Sequence, residues 1–141
     1  MGREEVSFRC SAMEECYEFM LAYAGQGLSG KEHSHACSQV REFLNRAVES
    51  LTGLAEAYAG AVRDENLQPV DRYLAFLKVL ERDALDSLAS IQLVLAQTTI
   101  SSQLIDNLNA SIHLRALLTD LFLIDEIFKP QPAAENPTTI S

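Results

Sequence analysis

A few side chains in this sequence have the types and spacings that site chemistry uses. Glu32-x-x-His35 sets a carboxylate and an imidazole one helical turn apart, the pairing that di-iron helical bundles project into their centre. A complete centre needs that motif twice, with further carboxylates from two other helices. The chain has three histidines, His33, His35 and His113, and no second motif. His33, His35 and Cys37 alternate, and positions two apart on a helix point about 200° from one another, so they cannot converge on one ion without unwinding. Glu32, His35 and Cys37 are therefore weak metal candidates. The expectation is two surface histidines and a half-buried thiol, with no metal and no cofactor.

Other constellations fail on context. Gly25-Gln26-Gly27-Leu28-Ser29-Gly30 matches GxGxxG letter for letter, but that pattern cradles a pyrophosphate only between a β-strand and a helix. Here it follows a helical stripe, so it reads as an interhelical turn. Met13 or Met20 with His113 could supply axial haem ligands, yet methionines on an apolar stripe are usual core fillers. His113 falls on the polar side of its helix with Asp106 and Asp120, and no CxxCH attachment sequence is present. Serine, histidine and aspartate occur without a nucleophile elbow or a sheet to carry one. Glu14, Glu15 and Glu18 crowd one helix and read as a solvated face.

The elements that must position these residues are helical. The first stripe is Val6, Cys10, Met13, Tyr17, Met20 and Ala24, spaced 4, 3, 4, 3, 4, which predicts a helix over 3–24. Glu4 and Glu5 favour its first turn through the helix dipole. Ser29-x-x-Glu32 has the spacing of a capping box and starts a second helix. Its stripe of Val40, Leu44, Ala47, Leu51, Leu54, Tyr58 and Ala61 runs to about 62–64. Gly53 and Gly60 weaken that helix by about 1 kcal/mol each relative to alanine, and are read as points of close approach to a neighbour. Pro69 suits the first turn of a third helix, whose stripe of Tyr73, Leu77, Leu80, Ala84, Ser87 or Leu88, Ile91 and Leu95 reaches about Gln97. The run Thr98 to Ser102 is a turn of weak helix formers with capping hydroxyls. A fourth helix ends at Phe128-Lys129-Pro130.

The predicted fold is all-α, an antiparallel up-down-up-down four-helix bundle that forms a dimer. It comprises a bundle domain over 1–129 and a flexible C-terminal tail over 130–141. At 141 residues, 48% hydrophobic and 22% charged, the chain is of ordinary size and composition for one folded domain. Twenty acidic against eleven basic residues give a net charge of −9, which repels phosphate backbones and anionic lipid headgroups. Neither nucleic acid nor membrane is expected as a partner. Cys10, Cys16 and Cys37 form no CxxC pair, and with no export signal or apolar span read in the sequence they point to a reducing cytoplasm.

The last helix breaks the amphipathic rule. From Leu114 onward apolar residues spread around the cylinder, and a helix apolar on nearly every side is normally buried on nearly every side. Leu114, Leu117, Leu118, Leu121, Phe122, Ile124 and Phe128 are assigned to an interface, with Leu123 and Ile127 adding to the surplus. A second copy is the favoured cover, ahead of the chain's own N-terminal helix or tail, another protein or an apolar ligand. Arg115 and Asp125 lie on the same side and would either pair across the interface or stand at its rim. The expected function is that of a non-catalytic interaction protein, an adaptor, regulator or small chaperone acting as a homodimer. The rival is a bundle holding a metal, haem or apolar small molecule between its helices.

Overall fold

A computed structural model of the chain describes the backbone of residues 2–26 and 30–129, and the side chains of 2–25 and 38–129. The described residues form six helices and no strand: α1 (Gly2–Gln26), α2 (Gly30–Leu51), α3 (Leu54–Asp64), α4 (Val70–Leu95), α5 (Ser102–Ala110) and α6 (Ile112–Phe128). The expected four helices are six because two of them are broken by a bend; the buried stripe passes through the first bend in phase, while at the second Ile112, one turn after buried Leu108, is 74% exposed. The tail over 130–141 lies outside the described residues.

The first bend is at Gly53, whose φ of 78° lies in the left-handed region that glycine enters without a Cβ clash. It separates α2 from α3, yet Val40, Leu44, Ala47, Leu51, Leu54, Tyr58 and Ala61 are all buried. The reading of Gly53 and Gly60 as points of close approach is corrected. Gly53 is a helix break, and a Cβ placed at Gly60 would meet nothing within 4 Å. The second bend is at Ser111, where ψ of 133° leaves the helical region. Its hydroxyl accepts from the His113 N–H at 3.2 Å, so a new helix starts with a side-chain cap. The turn expected at Thr98 to Ser102 is present, and Ser101 Oγ accepts from the Leu104 N–H at 3.0 Å.

Helix α1 packs on α2, α3 and α5, while α4 packs on α2, α3 and α6. The buried residues of all six form one apolar core. On α1 the stripe differs from the expected one in its second half. Cys16 and Tyr23 are buried where Tyr17 and Ala24 were expected, and the latter two are half-buried. The second half of α1 meets α5 and the turn before it, where Asn109 donates to the Met20 carbonyl and Ile100 accepts from Tyr23, so its buried face turns toward them. Tyr23 keeps its hydroxyl satisfied by donating to the Ile100 carbonyl at 2.6 Å.

Helix ends leave carbonyls without intrahelical partners, and α2, α4 and α6 have no basic residue in their last turns. Arginines from other helices do this work. Arg9 of α1 donates to the Ser50 and Thr52 carbonyls at 2.9 and 2.7 Å, closing the end of α2. Arg41 of α2 donates to Leu95 and Thr98 at 3.0 and 2.9 Å and to Gln97, closing the end of α4. Arg3 donates to the Phe128 carbonyl at the end of α6, with its guanidinium over the Phe128 ring.

Candidate interaction surface

The chain itself covers most of the side chains assigned to an interface. Leu114, Leu117, Leu118, Leu121, Ile124 and Phe128 are buried in the core, and Phe122 alone of the seven is exposed. The rings of Tyr58 and Tyr73 meet Phe128 edge-on at 5.3 and 6.3 Å. What remains uncovered on α6 is narrower than the sequence suggests. Ile112 in the first turn is 74% exposed, and in the second half of the helix Phe122 is 57% exposed, Leu123 51% and Ile127 46%. At 100° per residue Phe122 and Ile127 lie about 140° apart around the helix, so they flank opposite sides of the buried stripe.

Leu123 and Ile127 border a groove between α6 and α4. The two helices run antiparallel: Ser87 Oγ donates to the His113 carbonyl at 3.0 Å, Asp83 meets Asp120, and Tyr73 meets Phe128. Positions fall along α4 as they rise along α6. The groove is lined by Arg72, Tyr73, Phe76, Leu123, Ile124 and Ile127, with a volume of about 260 Å³. Val79, three residues beyond Phe76 and therefore on a neighbouring position of the same helix face, is 40% exposed.

The two ends of this face differ in charge. Arg72 is exposed, and its guanidinium has no ion pair or hydrogen bond with a described residue. At the other end the carboxyl groups of Asp83 and Asp120 face each other. Burial pushes Asp120 up to about 7, and hydrogen bonding to Asp83 and the charge of that group add to the shift. While both are ionised neither can donate, which leaves Asp120 Oδ2 buried without a partner. A proton on Asp120 makes the hydrogen bond to Asp83. Asp86 follows one turn along, with Oδ2 3.9 Å from His113 Nδ1.

The remaining candidates are dispersed. The side chains of Glu32, His33, His35 and Cys37 lie outside those described, as do residues 27–29 of the GxGxxG match. That match joins α1 to α2, in place of the strand and helix a dinucleotide site requires. Among the described residues no three metal-capable side chains come together. His113 is on the surface beside Asp86, while Met13 and Met20 are fully buried along α1. Glu15 is exposed and pairs with Arg46 at 2.9 Å, and Glu18 is exposed. Arg115 is exposed and Asp125 half-buried, the latter lining a cavity of about 350 Å³ with Arg3, Val6, Ser7, Phe128 and Lys129. Both stand at the rim of the core.

Two polar contacts have no signal in the sequence. Cys10 Sγ lies 2.7 Å from the Tyr58 hydroxyl in the core, and burial, the largest cause, pushes the thiol up to about 11 and also raises Tyr58. Asn109 is buried and donates to the Met20 carbonyl at 3.1 Å, tying α5 to α1. Both contacts are structural ties inside the core. Among the described residues no helix is long and apolar enough to cross a membrane. No protein family, no characterised protein and no solved structure matches the chain.

Proposed function

We propose that this chain is a non-catalytic interaction protein, an adaptor, regulator or small chaperone of the cytoplasm, that works as a homodimer through the uncovered face of its last helix. The observation that carries the reading is the exposure of Phe122, Leu123 and Ile127 in the half of α6 whose other apolar side chains, Leu117, Leu118, Leu121, Ile124 and Phe128, are already in the core. Scattered apolar residues are ordinary on a protein surface, whereas a contiguous apolar groove marks a contact site. The six helices serve this role as four antiparallel segments, with α2 and α3 sharing one buried stripe and α5 and α6 forming a bent fourth segment, α5 against α1 and α6 against α4.

Sedimentation equilibrium of the purified chain tests this reading. A dimer that dissociates on dilution through the micromolar range is expected, and a clean monomer throughout would remove the homodimer from it. A second reading, an apolar small molecule in the same groove, is favoured by the carbon-rich lining of Tyr73, Phe76, Leu123, Ile124 and Ile127. Mass spectrometry of an organic extract of the natively purified chain distinguishes the two.

A further inference from the structure

The groove between α4 and α6 carries its charges in an order that a second copy of itself can match. Arg72 stands at one end, Phe76, Val79 and Leu123 lie in the middle, and Asp83 and Asp120 face each other at the far end. Arg72 and Asp83 are eleven positions apart on one helix, or about 16 Å at 1.5 Å per residue. A two-fold axis lying in the plane of contact and crossing α4 at right angles midway between them exchanges the ends. It lays each Arg72 on the other copy's acidic pair and stacks the apolar centre on itself.

We propose that the α4–α6 face is the surface through which two copies of this chain associate, with Arg72 of each copy pairing with Asp83 and Asp120 of the other across a two-fold axis near Phe76 and Val79. This rests on the interaction reading above and supplies its surface and pairing. An isologous contact must be self-complementary, and this face meets that condition in both charge and apolar character. Arg72 lacks a side-chain partner among the described residues, and the acidic pair has no cation against it. An arginine can bind carboxylate oxygens through two parallel N–H donors, which suits an acidic pair that no cation of its own chain meets.

The size of the face sets the expected strength. Positions 72–86 of α4 span about 22 Å, and two helices side by side are about 20 Å wide. Each copy therefore offers about 450 Å² and the pair about 900 Å², below the standard range for stable complexes. The dimer is accordingly weak and forms in the micromolar range.

Sedimentation equilibrium on the full chain and four variants tests the arrangement, with far-UV circular dichroism confirming that each variant is folded. Arg72→Asp and Asp83→Lys are each expected to raise the dimer Kd about tenfold or more, and the combined variant to return it to within about threefold of the original, since tenfold corresponds to one well-placed charge contact. Leu123→Glu, at an exposed position, is expected to abolish the dimer. A dimer indifferent to Arg72→Asp and Leu123→Glu would overturn this surface while leaving the homodimer reading in place. Loss in both single charge variants without recovery in the double would overturn the cross-pairing. A monomeric wild-type chain would overturn both the surface and the homodimer.

Discussion

Replacing Arg41 by methionine isolates what a guanidinium does at the end of a helix it does not belong to. The substitution keeps an apolar stem against α2 and removes donors to Leu95, Gln97 and Thr98. The bond to Leu95 is part-buried at 3.0 Å and contributes about 1 kcal/mol, in the usual net range for a hydrogen bond. The bonds to Gln97 and Thr98 are exposed, so water replaces much of them, and with the dipole of α4 they add about 1 kcal/mol together. The expected loss is about 2 kcal/mol, or a fall in Tm of about 6 °C for a domain of this size. Urea denaturation followed by far-UV circular dichroism measures it, with Arg82→Met as the control. Arg82 is exposed with no partner among the described residues, and that variant should stay within about 0.5 kcal/mol of the parent. Arg41→Lys keeps the charge without the fork of donors and should recover about half of the loss. If Arg41→Met behaved like the control, water would be closing the end of α4 and the tertiary cap would have no energetic role.

Three further outcomes are expected. Asp120 is held at about 7 against an ordinary 3.8, so the folded state keeps a proton that the unfolded chain gives up. Stability is then greatest below about pH 4 and falls as pH rises to about 7. The full shift would amount to about 4 kcal/mol, but solvent screening at this half-buried pair reduces it to about 1–2 kcal/mol. Asp120→Asn should flatten that window in urea titrations run at dilutions where one sedimenting species is present. Gly53→Ala forces a Cβ into the left-handed region at φ 78° and should cost about 1 kcal/mol in thermal denaturation. Cys10 and Cys16, both buried and pushed up to about 11, should resist iodoacetamide at about pH 8 in the folded protein and react once urea unfolds it.

Much of the helical architecture is legible in the letters because burial repeats with the helical period. All seven positions from Val40 to Ala61 are buried as read, and the hydroxyls around Ser101 mark a true cap. The same regularity hides the bends. Leu51 and Leu54 stay in phase across Gly53, and a glycine letter does not show that its φ is positive. Ser111 caps α6 much as Ser101 caps α5, but it stands among residues that continue the apolar pattern, so no local cue announces it. The face between α4 and α6 is less legible. Counting apolar positions on α6 shows a surplus, but which of them the chain covers depends on Tyr58, Tyr73 and Arg3 arriving from three other helices. Asp83 and Asp120 look like ordinary surface acids until the antiparallel register of two helices sets them against each other.

The arginine closures at the ends of α2, α4 and α6 reach across 41, 54 and 125 positions of chain. None of them can form within an isolated helical peptide, so those three ends would fray in a fragment and close only once the distant helix has docked. Native-state hydrogen exchange should therefore find the final turns of these helices opening with the body of the protein instead of peeling back one residue at a time. Such long-range closures are expected to make the fold open as a single all-or-none unit despite its two bends.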